Sequence, residues 1–244
     1  FPIVGDAKLV LGQMIEACRE IVGRSRETGD SVTNEIKSER DAWLNEWRPK
    51  LSNAQTPINP YRIIWDFMQA VPPAEAIVTH DSGSPRDQIT PFYRSNGPRT
   101  YLGWGKSHGL GTGLGLTIGA KLAAPEKVCV NFMGDAAFGM VGLDFETAVR
   151  SNIPIITVVL NNSTMAVETR QMADSHGLYG TRDLGGNYAD LGKAMGGYAE
   201  RIEDPNQISA AFTRARKVTE EEGKAVLLEF ITSEETELSH RRAF

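Results

Sequence analysis

The sequence predicts an α/β fold of three layers, in which helices cover both faces of a mostly parallel, doubly wound sheet. From about residue 60 onward, short apolar runs rich in β-branched residues alternate with segments of helical periodicity. The run from Pro154 to Leu160 is almost continuously apolar, which is typical of a strand buried on both faces. Apolar residues make up 41% of the 244-residue chain, enough to form a substantial core.

The first 58 residues differ from the rest and are interpreted as the end of another domain followed by a linker. Phe1–Val4 is a short apolar run that predicts a strand, and residues 10–21 have apolar side chains at helical spacing. Residues 24–48 are rich in charge and predict a solvated helix, whereas residues 52–60 are polar and punctuated by proline. The predicted domains are therefore residues 1–58 and 59–244.

The second domain is predicted to alternate between helices and strands. The predicted helices cover residues 61–71, 109–123, 139–150, 187–195 and 205–221. The predicted strands cover residues 76–81, 127–133, 154–160, 197–202 and 225–231. The segment between the third strand and residue 186 is predicted to be a long loop that contains glycine.

Composition excludes several classes of function. The net charge is −5 and the charged residues are dispersed, so the chain has no basic stripe for nucleic acid. No run of 18 apolar residues occurs and the first twenty residues are charged, which argues against a membrane span and a signal peptide. Cys18 and Cys129 lie far apart among apolar residues. They are predicted to be buried, reduced thiols, which indicates a cytoplasmic protein.

Polar residues follow three predicted strands at the carboxyl ends, where open parallel sheets bind ligands. These segments are Asp81–Ser84, Gly134–Ala137 and Asn161–Asn162. Gly134 is predicted to permit a tight turn, and the amides after it begin a helix whose N-terminus favours an anion. Asp135 and Asn162 supply oxygen atoms and are 27 residues apart, the length of one helix and one strand. Together these features predict a site for Mg²⁺ and a diphosphate.

The same residues carry a specific resemblance. Gly134-Asp135, then Phe145–Ala148 in a helix and Asn161-Asn162 after an apolar strand resemble the thiamine-diphosphate signature of the superfamily of acetolactate synthases and 2-keto-acid decarboxylases. His108–Ala123 is similar to the glycine-rich helix that precedes that signature. The resemblance covers residues 60–232 and implies the C-terminal, diphosphate-binding domain. Phe1–Asp6 also looks like the last strand of the family's central domain.

The resemblance implies a role for each matching residue. Asp135, the side chain of Asn162 and the main-chain carbonyl of Thr164 would bind Mg²⁺. Leu110 would lie under the central carbon of thiamine diphosphate and hold its bent conformation, and the backbone of His108 and Leu110 would hold the aminopyrimidine; these two are the candidate catalytic residues. The residues implied to contact the cofactor are Asp81, Gly83, Ser84, His108, Leu110, Gly134, Asp135, Ala136, Ala137, Asn162, Thr164 and Met165.

The resemblance implies a Mg²⁺- and thiamine-diphosphate-dependent lyase or transferase that acts on 2-keto acids by decarboxylation, carboligation or both. Two departures leave the substrate open: Ser84-Pro85 replaces the Gln-His of acetolactate synthases, and Gln171 stands near their pocket tryptophan. In this family a glutamate of a pyrimidine-binding domain starts activation of the cofactor, and no residue here matches it. A pyrimidine-domain chain, in a homo- or hetero-oligomer, is therefore the expected partner.

Two other functions remain to be weighed. A non-catalytic cofactor-binding or regulatory module would keep the diphosphate site without turnover, and the sequence leaves this alternative open. A nucleotide-binding oxidoreductase is disfavoured, because residues 108–123 contain no G-x-G-x-x-G spacing in any register and follow no predicted strand.

Overall fold

The computed structural model describes residues 2–22, 30–103, 109–169 and 171–239. Its chain divides into two compact units, Phe1–Arg48 and Pro49–Phe244. This division falls before the boundary predicted near residue 58. Leu51, which belongs to the larger unit, is buried. The assignment of the first segment to the end of a central domain stays a prediction.

The first unit is helical in the residues described. Helix α1 (Ala7–Val22) matches the predicted helical spacing, and α2 (Asp30–Leu51) contains most of the charged segment. The predicted strand at the start of the chain is wrong for Pro2 to Val4, which form no strand, and Phe1 lies outside the described residues. A strand needs a neighbour for its backbone hydrogen bonds, and no described strand lies beside this segment.

The second unit contains a six-stranded sheet in which every pair of neighbours is parallel. The strands are β1 (Ala76–His80), β2 (Tyr101–Leu102), β3 (Val128–Gly134), β4 (Ile156–Asn161), β5 (Tyr198–Ile202) and β6 (Val226–Ile231). Their order across the sheet is β2-β1-β3-β4-β6-β5. The ends of β1, β3 and β4 therefore lie side by side, which places the three polar segments of the sequence together.

Helices cover both faces of the sheet, which confirms the predicted three-layer α/β fold. The helices described in this unit are α3 (Pro60–Ala70), α4 (Ser84–Ile89), α5 (Thr112–Ala123), α6 (Asp135–Val141), α7 (Asp144–Arg150), α8 (Ala173–Tyr179), α9 (Tyr188–Ala194) and α10 (Ile208–Glu221). On one face Leu114, Phe138 and Phe145 share a core cluster with Met133 and Val159.

Aromatic rings form the core on the other face. Phe67 of α3 lies 5.1 Å from Phe132 of β3 and 5.2 Å from Phe212 of α10, measured between ring centroids. Phe212 in turn lies 5.6 Å from Phe230 of β6. Phe132 and Met133 are consecutive and buried, so they point to opposite faces of the sheet. The continuously apolar strands of the sequence follow from this burial on both faces.

Several predicted elements have different bounds in the structure. The predicted helix over residues 139–150 is two helices, α6 and α7, because the chain bends at Gly142, where a side chain would lie 2.6 Å from the Phe138 carbonyl oxygen. Helix α5 begins at Thr112, since Gly111 has a left-handed backbone with φ 94°. The predicted loop after β4 contains a 3-10 turn, Ala166–Glu168, and helix α8.

The two cysteines differ in environment. Cys129 of β3 is buried as predicted, and burial raises the pKa of its thiol to about 11. The prediction for Cys18 is wrong, because α1 leaves this side chain exposed among the described residues. Within the described ranges, none of the helices combines the length and the apolar character needed to cross a membrane.

Candidate functional site

A cavity of about 320 Å³ opens where the carboxyl ends of the central strands meet. Ten of the twelve predicted cofactor-binding residues line it: Gly83, Ser84, Leu110, Gly134, Asp135, Ala136, Ala137, Asn162, Thr164 and Met165. Asp81 lies behind this wall, and His108 is outside the described residues. The parallel topology thus gathers residues that the chain separates widely. Their contacts with a cofactor stay a prediction.

Asp135, the first residue of α6, is the central carboxylate of the cavity. Its Oδ1 accepts a hydrogen bond from the amide of Ala136 at 2.9 Å, and its Oδ2 accepts one from the amide of Ser163 at 2.7 Å. The side chain is buried, and this burial raises the pKa of the Asp135 carboxyl above its ordinary value, while the two amide bonds lower it. A buried carboxylate held only by amides favours a bound cation that offsets its charge.

The loop after β4 presents two further oxygen atoms to the same cavity. The Oδ1 of Asn162 accepts a hydrogen bond from the amide of Thr164 at 3.1 Å. Ser163 between them has a left-handed backbone, φ 57°, which turns the chain sharply. The amide of Met165 donates to the Arg182 carbonyl at 2.8 Å, and the amide of Leu184 donates to the Ser163 carbonyl at 2.9 Å, so a neighbouring segment fixes the loop.

The oxygen donors suit Mg²⁺. Among the described residues no group of three His, Cys, Asp or Glu side chains is placed to hold a metal. A carboxylate, an amide oxygen and a main-chain carbonyl nevertheless line one cavity, and the buried Thr164 accepts no hydrogen bond at its carbonyl from any described residue. Mg²⁺ prefers hard oxygen ligands shared with phosphates and water. The residues present therefore fit a Mg²⁺ ion.

Gly134 plays a different part from the one predicted. Its φ is −84°, a conformation open to any residue, so the glycine is not required for a tight turn. A side chain here would meet Pro85 at an ordinary distance of 3.8 Å and would project into the cavity that Gly134 lines. The physical role of this glycine is to leave space at the end of β3.

Asp81 supports the wall that contains Leu110. It is fully buried, and its Oδ1 and Oδ2 each accept a hydrogen bond at 2.9 Å, from the amides of Gly111 and Gly113 respectively. Gly113 can approach this closely because it lacks a side chain, whose first carbon would lie 2.4 Å from Asn131 Oδ1. Asp81 therefore acts as a positioning residue at the start of α5, whereas the sequence predicts direct contact with the cofactor.

We expect Asp81→Ala to lower the free energy of unfolding by about 3 kcal/mol, because the amides of Ser82, Gly111 and Gly113 lose their acceptor and an unsatisfied buried group costs about 1–3 kcal/mol. Chemical denaturation measures the effect. Asp204→Ala is the matched control: Asp204 caps an exposed turn through the amide of Asn206, and its loss is expected to cost about 1 kcal/mol. Equal losses of stability in the two variants would contradict the role of Asp81 as a positioning residue.

Sequence reasoning missed two charged residues of the cavity. Arg86, in α4, lines it and pairs with Asp87 at 2.7 Å. Glu168, in the 3-10 turn after Thr164, also lines it, and its carboxylate makes no hydrogen bond or ion pair with any residue that the structure describes. Both lie in segments predicted as loops, so only their closeness in sequence to Ser84 and Asn162 could have indicated them.

His80, at the end of β1, is buried next to the residues that line the cavity. Burial lowers the pKa of its imidazole below the ordinary value, and its ring lies 5.3 Å from that of Tyr101. Gly103 fits against the ring only because it has no side chain, whose first carbon would lie 2.1 Å from the His80 Nε2. His80 does not line the cavity.

Residues 81–230 match the family model described as "Thiamine pyrophosphate enzyme, C-terminal TPP binding domain". The match covers more than half of the chain, from the residue after β1 to the last but one residue of β6. The chain belongs to this family. Thiamine pyrophosphate is another name for thiamine diphosphate, so the resemblance seen in the sequence is confirmed.

Several curated proteins are similar to this thiamine pyrophosphate domain. A probable acetolactate synthase large subunit of Methanococcus aeolicus is 27% identical over 88% of this chain and 37% of its own length. Sulfoacetaldehyde acetyltransferase of Alcaligenes xylosoxydans xylosoxydans is 25% identical over 96% of this chain and 42% of its own length. A 2-hydroxyacyl-CoA lyase of Arabidopsis thaliana is 26% identical over 87% of this chain and 39% of its own length. The chain thus spans about two fifths of the length of these relatives.

A solved structure shares the fold. Benzoylformate decarboxylase from Polynucleobacter necessarius superimposes with a TM-score of 0.63 at 21% identity, over 75% of this chain and 34% of that protein. At this identity the likeness supports the architecture alone, which agrees with the parallel six-stranded sheet.

Proposed function

We propose that this domain binds the diphosphate of thiamine diphosphate through Mg²⁺ and forms part of a lyase or transferase that acts on 2-keto acids. The observation that carries the proposal is the cavity at the ends of β1, β3 and β4, where Asp135, Asn162 and Thr164 meet in a domain of the thiamine pyrophosphate family. The activities named for the relatives, acetolactate synthase and 2-hydroxyacyl-CoA lyase among them, support this class of reaction.

Each residue of the site would contribute through position or charge. Asp135, the Asn162 side chain and the Thr164 carbonyl would hold Mg²⁺, and the amides of Ala136 and Ala137 would face the diphosphate. When bound, thiamine diphosphate supplies the carbon nucleophile and the electron sink that decarboxylation of a 2-keto acid requires. The protein would supply orientation and electrostatic stabilisation, with Leu110 fixing the angle between the two ends of the cofactor.

The proposal includes a pyrimidine-binding domain as partner, either in a separate chain or in the remainder of a longer one. The relatives are more than twice the length matched here, which supports a further domain. Such a partner would bring the glutamate that acts on the pyrimidine end of the cofactor, and it would form an oligomer with this domain across the site. A cytoplasmic location is part of the same proposal, supported by a buried thiol at Cys129.

Titration calorimetry tests the diphosphate site directly. Thiamine diphosphate is expected to bind in the presence of Mg²⁺ and to lose most of its affinity when the metal is chelated, because the buried carboxylate of Asp135 would otherwise face the diphosphate without a cation. Thiamine without phosphates is the control ligand, and its affinity is expected to be the same with and without Mg²⁺. Cofactor binding that is indifferent to Mg²⁺ would contradict the proposal.

Leu110→Ala is expected to separate turnover from cofactor affinity. Leu110 lines the cavity and packs against the core cluster that contains Leu114, so its side chain is held in place. In an assembly with the pyrimidine domain, we expect kcat to fall about 10–100-fold, since misplacement of reacting groups by 1 Å can cost that much. The affinity for thiamine diphosphate is expected to change little, because the diphosphate contacts stay. Equal losses of kcat and affinity would remove Leu110 from this role.

The alternative, a non-catalytic cofactor-binding or regulatory module, shares the diphosphate site and differs in turnover. The two are distinguished by an assay with 2-keto acids after addition of pyrimidine-domain chains. Turnover in any such mixture excludes the regulatory module.

A further inference from the structure

A buried carboxylate beneath the loop after β4 has no role in the site described so far. Glu229, in β6, is fully buried, a rare state for a glutamate. Its Oε1 accepts a hydrogen bond from the side-chain Nδ2 of Asn161 at 2.7 Å and lies 3.4 Å from a guanidinium nitrogen of Arg201. Its Oε2 accepts a hydrogen bond from the amide of Ala189 at 2.8 Å. Both oxygens are therefore occupied within the protein.

Glu229 fixes which way the Asn161 amide faces. An ionised carboxylate can only accept hydrogen bonds, so the NH₂ group of Asn161 must point toward Glu229 and the oxygen must point away. That oxygen, Oδ1, accepts hydrogen bonds from the amide of Ser163 at 3.0 Å and from its hydroxyl at 3.2 Å. If the Asn161 amide were reversed, its NH₂ group would face the Ser163 amide, and two donors would oppose each other.

The orientation matters because Ser163 joins the two halves of the candidate metal site. The Ser163 amide also donates to Asp135 Oδ2 at 2.7 Å, and its left-handed backbone carries the chain from Asn162 to Thr164. A continuous series of hydrogen bonds thus runs from Glu229 through Asn161 and Ser163 to Asp135. Groups that orient metal ligands commonly change metal affinity about 10–100-fold when they are removed.

We infer that Glu229 is a positioning residue for the Mg²⁺ site: it locks the Asn161 side-chain amide in the orientation that holds the Ser163 turn against Asp135. The inference rests on the proposed Mg²⁺-diphosphate function. Glu229 touches neither the cavity nor the expected ligands, so its effect passes through Asn161.

The decisive replacement is Glu229→Gln, which keeps the size of the side chain and changes one acceptor into a donor. The new NH₂ group must face either the Asn161 NH₂ group or the Ala189 amide, and each of these is also a donor. Reversal of the Asn161 amide would give the new NH₂ group an acceptor, but the Ser163 amide would then lose the Asn161 oxygen as its acceptor. By calorimetry with thiamine diphosphate held constant, we expect the Mg²⁺ dissociation constant to rise about tenfold or more. Glu200→Gln is the matched control, because it makes the same replacement in β5, removes the charge from a partly exposed ion pair with Arg214 at 2.5 Å, and leaves β4 unchanged.

A double variant distinguishes orientation from a loss of packing. In Asn161→Asp with Glu229→Gln, the introduced glutamine can accept from the Ala189 amide through its oxygen. Its NH₂ group can donate to one oxygen of the introduced aspartate, whose other oxygen accepts from Ser163. The hydrogen bonds among positions 161, 163, 189 and 229 are then restored, and only the 3.4 Å contact with Arg201 loses its acceptor. The Mg²⁺ dissociation constant is expected to return to within about threefold of the wild type, as strong coupling between the two positions requires. Asn161→Asp alone places two carboxylates together and is expected to weaken Mg²⁺ binding.

The outcomes separate this inference from the proposed function. The inference is overturned if Glu229→Gln binds Mg²⁺ with unchanged affinity, or if Glu200→Gln loses as much Mg²⁺ affinity as Glu229→Gln. In either case, Mg²⁺-dependent cofactor binding by the wild type still supports the proposed Mg²⁺ site. Failure of the wild type to bind the cofactor with Mg²⁺ overturns both. If a single variant does not fold, the double variant decides the question. Recovery of folding and Mg²⁺ affinity supports the inference that Glu229 orients Asn161, and a double variant as impaired as Glu229→Gln overturns it.

Discussion

Asp135→Ala is expected to abolish Mg²⁺-dependent binding of thiamine diphosphate. The replacement removes the one carboxylate among the expected metal ligands. It also removes one of the two acceptors of the Ser163 amide, whose 2.7 Å hydrogen bond to Asp135 holds the loop after β4. Loss of a group that merely orients a ligand costs about 10–100-fold in metal affinity, so loss of the ligand itself is expected to cost more than about 100-fold. Calorimetry at fixed Mg²⁺ measures the change.

A control separates loss of the ligand from loss of the fold. Asp144→Ala removes an exposed aspartate from the first turn of the neighbouring helix α7, which is outside the cavity, and its cofactor affinity is expected to match the wild type. Asn162→Ala is expected to weaken binding in the same direction as Asp135→Ala, because it removes the amide oxygen on the other side of the site. Unchanged cofactor affinity in both Asp135→Ala and Asn162→Ala would show that the metal site lies elsewhere.

Turnover of a 2-keto acid is expected to require a second polypeptide. The cavity contains oxygen donors for a metal and an apolar side chain, Leu110. Under the proposed function, the glutamate that acts on the pyrimidine ring comes from a pyrimidine-binding domain. Positioned general acids and bases contribute about 10²–10⁴-fold to rates. The 244-residue chain with thiamine diphosphate, Mg²⁺ and pyruvate is therefore expected to turn over at least about 100-fold more slowly alone than with a pyrimidine-domain chain.

The controls for this experiment are the partner chain without this domain and the mixture with Asp135→Ala, both of which are expected to be inactive. Substantial turnover by the 244-residue chain alone would contradict the prediction. In that case Glu168, the carboxylate of the cavity that has no partner among the described residues, would be the candidate for the acid or base that the chain supplies by itself.

The sequence by itself determined the fold class and most of the cavity wall. Strands such as β4 are buried on both faces, so their composition is apolar throughout and reveals them locally. Parallel strands place their carboxyl ends at one edge, so Asp135 and Asn162 could be assigned to one site from position alone. Periodicity likewise indicated α3 and α10, because each buries one face of mainly apolar side chains.

Only the tertiary structure decided how the chain holds that site together. Helix α4, with six residues, and strand β2, with two, are too short to show a period, so their sequences read as loop. Asp81 and Glu229 each act through partners distant in the chain, the amides of Gly111 and Gly113 for one and Asn161 for the other. A carboxylate in the sequence looks the same whether it faces a ligand or an amide. Its role is set by long-range contacts, and those exist only once the sheet has formed.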